Sequence, residues 1–180
     1  MTLANKLTIL RVLLIPVFLV VLYADFPASR LWALGIFVFA CMTDWVDGYI
    51  ARNFNQVTDF GKFMDPLADK VLVMAAMCWF VECGQMAGWV LAIVLLREFA
   101  VSGMRLVAVE QGRVIAAAWS GKIKTASTMV GLCVMMLAEE SWFPVPHTIN
   151  LVCVAVILVT TVYSGIEYFW KNRDVFRAVK

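Results

Sequence analysis

Six apolar runs, at about residues 8–24, 31–51, 65–82, 86–108, 122–139 and 147–170, occupy most of this chain. Each is close to the ~20 residues that an α-helix needs to cross the hydrocarbon of a bilayer. Hydrocarbon offers no water to backbone amides, so such runs must close their own hydrogen bonds as helices. The expected fold class is therefore all-α: a polytopic membrane protein with six transmembrane helices. Composition agrees, with 63% of the 180 residues hydrophobic and 16% charged. A soluble domain has about 45–50% apolar and about 25% charged residues. No repeat or low-complexity stretch breaks the pattern, which predicts one membrane-embedded domain over residues 1–180. A net charge of +2 gives no reason to expect nucleic acid as a partner.

Lysine and arginine set the orientation. With the N-terminus in the cytoplasm, thirteen basic residues fall on the cytoplasmic side, among them Lys6, Arg11, Arg52, Lys62, Lys70, Arg113, Lys171, Arg177 and Lys180; Arg30 alone falls opposite. Both termini are expected in the cytoplasm. Lys6 and Arg11 precede an apolar run with no small-residue cleavage site after it, which reads as a retained first span. Tyr23, Trp32, Trp79, Trp89, Trp142, Tyr168 and Trp170 lie at span ends and are expected to form interfacial belts. The five cysteines show no C-x-x-C spacing and are expected to be small buried hydrophobes. His147, the single histidine, is expected in an outward loop.

Against this background stands one dense group of charge. Asp44-x-x-Asp47-Gly48-x-x-Ala51-Arg52 is followed after eight residues by Gly61-x-x-x-Asp65-x-x-x-Asp69. The first part closes the second run and the second part opens the third, both on the cytoplasmic side. Asp44 and Asp47 are about 60° apart around a helix and Asp65 and Asp69 about 40° apart, so each pair shares a face. Carboxylates beside hydrocarbon are costly unless paired or bound to a cation. An all-oxygen donor set selects hard cations, Mg²⁺ or Mn²⁺, over zinc. Four carboxylates exceed the need of one such ion, which points to two metals and phosphoryl-transfer chemistry. Gly48 and Gly61 allow close approach, and Arg52 supplies fixed positive charge for a phosphate. Pro66 is expected in the first turn of the third helix, where no amide hydrogen is needed.

The whole pattern, D-x2-D-G-x2-A-R-x8-G-x3-D-x3-D, resembles the signature of the CDP-alcohol phosphotransferase family at every position. The resemblance implies six membrane helices, a homodimer, and transfer of a phosphatidyl or phosphoalcohol group from a CDP-linked donor with release of CMP. It implies that Asp44, Asp47, Asp65 and Asp69 ligate two divalent cations and that Asp69 is also the general base. Asp47, Gly48, Ala51, Arg52 and Gly61 would lie against the cytidine diphosphate. Further segments resemble the bacterial branch of the family that takes CDP-diacylglycerol as donor and glycerol 3-phosphate as acceptor, in the inner membrane. These are Asn5-x-x-Thr8-x-x-Arg11 with Pro16, Arg97-Glu98-x3-Ser102-x2-Arg105, and Gly121-Lys122-x-Lys124-Thr125. Thr8 would join the CDP site.

Arg97 and Glu98 sit in the middle of the fourth run. Two readings stay open: a buried pair holding helices together, or Arg97 facing a polar cavity. Lys122 and Lys124 open the fifth run, either as headgroup anchors or as part of a site. Arg105, Lys124, Arg97 and Lys122 are the expected acceptor set, with Arg105 and Lys124 holding the acceptor's phosphate monoester. Within the enzyme class the acceptor could instead be inositol phosphate, serine or phosphatidylglycerol. A divalent-cation transporter would show acidic residues through the depth of several spans, whereas the outer halves here are nearly free of them.

Overall fold

The structure, a computed structural model, describes residues 3–24, 26–53, 59–113, 115–116, 118–138 and 147–174; at 3–8, 44–53, 59–63, 65 and 66 it describes the backbone. Among these residues the chain is all-helical: α1 (Leu3–Tyr23), α2 (Ser29–Asn53), α3 (Asp59–Glu82), α4 (Gly88–Glu110), α5 (Trp119–Ala138) and α6 (His147–Lys171). The six apolar runs each fall in one helix.

Glycine ends two of these helices. Gly84 has φ +73° and Gly112 has φ +69°, a backbone region open to glycine at no steric cost. After α3 the Gln85 amide donates to the Phe80 carbonyl at 2.9 Å and the Gly84 amide to Val81 at 3.1 Å. After α4 the Arg113 amide donates to Ala108 at 2.8 Å and the Gly112 amide to Val109 at 2.9 Å. Both are Schellman closures, which satisfy carbonyls that the helix end would leave unpaired.

Three element boundaries differ from the expectation. α3 begins at Asp59 rather than near residue 65, so Gly61 lies inside the helix and Pro66 is its eighth residue, not a first-turn residue. Charged residues hid this start, because hydropathy marks apolar length and not helix length. α1 likewise starts at Leu3 and carries Pro16 inside it. His147 opens α6 instead of lying in a loop.

The described chain divides into two compact units, Met1–Trp79 with Met135–Val145, and Phe80–Val134 with Pro146–Lys180. In the first, α1 packs on α2. Ile15, Phe18 and Leu22 form one buried stripe and Ala33, Phe37 and Ala40 the other. The small alanines let the helices approach, and the Phe18 and Phe37 rings meet at 5.9 Å between centroids. In the second, α4 packs on α6. Val101, Met104 and Ala108 of α4 enclose Tyr168 of α6.

Helix register decides which aromatics are interfacial. Tyr23, Trp32, Trp89 and Trp170 are exposed, as the belt reading requires, but Trp79 and Tyr168 are buried. Tyr168 lies on the stripe of Ile157, Thr161, Ser164 and Gly165, so its ring points inward. The cysteines also differ from expectation. None of the five is in a disulfide; Cys78 and Cys83 are exposed and the other three half-buried. Cys83 lies in the turn after α3 and the other four in helices.

α6 is long and apolar enough to cross a membrane, and Ile9–Tyr23 and Ser29–Thr43 are shorter apolar stretches among the described residues. Large apolar side chains cover the outside, including Val20, Leu96, Leu106, Val159 and Trp170. Such a surface is matched to hydrocarbon rather than water.

Gly131 marks the tightest α5–α6 contact among the described glycines. A Cβ there would come within 3.1 Å of Ile157 Cδ1 and 3.3 Å of Cγ1, and Ile157 is fully buried. Gly131→Val places branched bulk against that buried side chain and should destabilise the protein by about 1–3 kcal/mol. Unfolding of the detergent-solubilised protein measures this; an unchanged midpoint would show that the α5–α6 seam opens freely.

Candidate active site

The backbone puts the acidic motif on two consecutive helices. Asp44, Asp47, Gly48, Ala51 and Arg52 lie in the C-terminal part of α2, and Gly61, Asp65 and Asp69 in the N-terminal part of α3. Each acidic pair stands about one turn apart along the backbone of its own helix. Thr8, Asp44, Asp47, Gly48, Ala51, Arg52, Gly61 and Asp65 lie outside the described side chains. Asp69 is described: it is half-buried and engaged in an interaction. Among the described residues no three His, Cys, Asp or Glu group together; three of the four motif carboxylates fall outside that description. The donor set itself, oxygen only and paired at one-turn spacing, fits hard divalent cations.

Arg11 is a buried charge on α1. Counted above as a cytoplasmic charge, it is 1% exposed. Its spacing three residues after Thr8 was the available signal.

The second unit sorts the four expected acceptor residues. Glu98 organises two of them, Arg97 and Lys124. Its Oε1 accepts from Arg97 Nη1 at 2.9 Å and from Lys124 Nζ at 2.6 Å. All three side chains are at most 14% exposed. Two cations on one carboxylate leave a net charge of +1, and charge-assisted bonds of this kind are the strong ones. Both open readings of Arg97 are thereby partly answered. It does pair with Glu98, and it also lines a groove of about 590 Å³ whose other walls are mostly apolar, with Thr161 as a further polar contributor. Two glycines make room for the side chain. A Cβ on Gly165 would stand 3.3 Å from Arg97 Cγ, and one on Gly121 would stand 3.5 Å from its Nη2.

Lys122 and Lys124, two residues apart, point in different directions. Lys124 is 5% exposed, while Lys122 is exposed with its ammonium 4.9 Å from the centroid of the Trp119 ring. Arg105 is exposed and sends its Nε to the Tyr168 hydroxyl at 3.2 Å. The structure therefore brings Arg97 and Lys124 together on Glu98. It holds Arg105 on Tyr168 and leaves Lys122 on an outer face. Sequence reasoning missed Glu98 as the shared anion and Tyr168 as a polar partner. Glu98 had a signal in its mid-run charge; Tyr168 had none beyond its place at a helix end.

A profile of the CDP-alcohol phosphatidyltransferase family matches residues 1–163 of the chain. The chain belongs to this family. Curated family relatives cover nearly its whole length. CDP-diacylglycerol–glycerol-3-phosphate 3-phosphatidyltransferase of Bacillus subtilis is 39% identical over 97% of both chains. The enzymes of that name from Salmonella typhimurium and Shigella flexneri are 40% and 38% identical over 90% of both chains.

Glu98→Ala should leave Arg97 and Lys124 buried side by side without their anion. Breaking a buried ion pair on one side costs about 3–5 kcal/mol. Denaturant or thermal unfolding in detergent should show a loss of that order, and Glu98→Gln a smaller one because the amide oxygen still accepts. Equal stability of Glu98→Ala and the wild type would mean that the two cations find other anions.

Proposed function

We propose that this family member transfers the phosphatidyl group of CDP-diacylglycerol to sn-glycerol 3-phosphate, giving phosphatidylglycerophosphate and CMP. The observation that carries this is the four-aspartate motif on either side of the α2–α3 connection, in a chain whose full-length relatives are named for that reaction.

Asp44, Asp47, Asp65 and Asp69 would hold two divalent cations, Mg²⁺ or Mn²⁺. When bound, these supply positive charge against the donor's diphosphate and the departing CMP. Asp69 takes the proton of a glycerol 3-phosphate hydroxyl. That oxygen attacks the phosphorus bearing the diacylglycerol, the bond to the CMP phosphate breaks, and CMP leaves with the bridging oxygen. Thr8, Gly48, Ala51, Arg52 and Gly61 line the nucleotide, with Arg52 adding fixed charge. Arg105 takes the acceptor's phosphate monoester, with Lys124 and Arg97 raising the local potential and Lys122 drawing anions toward the membrane surface.

In this reading all six helices span the inner membrane as one catalytic domain. Both termini and the acidic motif face the cytoplasm, where the water-soluble acceptor arrives. Lipid tails stay in the bilayer against the apolar exterior, and two copies form a homodimer.

Purified protein given CDP-diacylglycerol should release CMP with glycerol 3-phosphate, and far less with inositol 1-phosphate, serine or phosphatidylglycerol. A preference for any of the other three would overturn the acceptor assignment. Chelator should abolish turnover and Mg²⁺ or Mn²⁺ restore it; turnover persisting in excess chelator would rule out the metal mechanism.

Asp69→Asn keeps the shape of the side chain but removes the proton acceptor. Loss of a general base costs about 10²–10⁴-fold in rate. Turnover close to wild type in this variant would remove Asp69 from the base role.

A further inference from the structure

Tyr168 is the one buried aromatic of α6 whose hydroxyl contacts a residue assigned to the acceptor. It is 2% exposed and packed by Val101, Met104 and Ala108, with Val107 and Ile115 against the same cluster. Its hydroxyl oxygen accepts from Arg105 Nε at 3.2 Å. The guanidinium carbon lies 5.7 Å from the ring centroid, near the ~6 Å limit for an attraction to the ring face. The hydrogen bond is thus the directional part of the contact.

The use of Nε matters. A guanidinium carries five N–H groups in a rigid planar fork. With Nε held, four N–H groups on the two terminal nitrogens remain. They make no hydrogen bond or ion pair to a described residue, and the residue is exposed. Paired terminal nitrogens are the edge that grips a phosphate with two parallel bonds.

The nature of the partner matters as well. Arg97 and Lys124 face the carboxylate of Glu98, which offsets part of their charge. Lys122 stands over Trp119 on an outer face. Arg105 is the member of the set oriented by a hydrogen bond to a neutral group. A phenol fixes the fork without cancelling its charge, so the full unit charge is left for a ligand.

We propose that Tyr168 is a positioning residue for the acceptor: by holding Arg105 Nε it aims the terminal nitrogens at the phosphate monoester of glycerol 3-phosphate. This rests on the reading above that Arg105 binds that phosphate. Tyr168 touches no substrate itself and acts through Arg105.

The test is a two-residue cycle on purified, full-length protein in detergent, with glycerol 3-phosphate and CDP-diacylglycerol titrated separately. Tyr168→Phe keeps the ring and its packing and removes only the hydroxyl. It should raise the KM for glycerol 3-phosphate about 10-fold. kcat at saturating acceptor and the KM for CDP-diacylglycerol should stay within about 2-fold, and the melting temperature should not change. Arg105→Ala should raise the acceptor KM further, and on that background Tyr168→Phe should add nothing. If Arg105→Ala leaves the acceptor KM unchanged, the underlying assignment of Arg105 fails. If Arg105→Ala raises it and Tyr168→Phe does not, the assignment stands and the positioning role is overturned. A Tyr168→Phe effect of equal size with and without Arg105 also overturns it, since the hydroxyl would then act by another route. A fall in melting temperature without a change in acceptor KM would reduce Tyr168 to a packing residue.

Discussion

A charged side chain inside an apolar helical interior must find its opposite at close range, and Glu98 meets that demand for two cations at once. Its single oxygen holds Arg97 from the adjacent position on α4 and Lys124 from α5. Much of the second unit is arranged to permit this. Gly121 and Gly165 lack the side chains that would crowd Arg97, and Lys124 sits on the inner face of α5 while Lys122 turns outward. The result is a fixed point of net positive charge in a segment that would otherwise be uniformly apolar.

Two kinds of restraint operate on the cations of this unit, and they suit different tasks. A carboxylate partner fixes a cation and offsets its charge, which favours stability and a modest local potential. A neutral phenol fixes a cation and leaves its charge whole, which favours ligand binding. Glu98 and Arg105 are seven residues apart on α4, so the two devices lie about two helical turns from each other along one helix. The phosphate ligand proposed for Arg105 needs the second device, because an exposed arginine without a hydrogen-bonded anchor loses its rotamer freedom on binding.

The acidic motif was fully legible in the order of residues, since its spacing alone places each carboxylate pair on one helical face. The six helices were legible too, from apolar length. Their polar ends were not: α3 starts at Asp59 because helix continues through charged residues that a hydropathy reading treats as loop. Nor was the inward turn of Tyr168 and Trp79. At a span end an interfacial aromatic and a buried one have the same neighbours in sequence, and a shift of one residue around the helix separates them.

What the sequence determined by itself was the all-helical class and the identity and spacing of the motif that marks the family. Both follow from local rules, the period of the helix and the cost of charge beside hydrocarbon. The partners of Lys124 and Arg105 were decided only in the tertiary structure. Lys124 is 26 residues from Glu98 and Tyr168 is 63 from Arg105. Pairings at that separation depend on which helix faces meet, and helix faces meet through the packing of small and large side chains across α4, α5 and α6 rather than through anything adjacent in the chain.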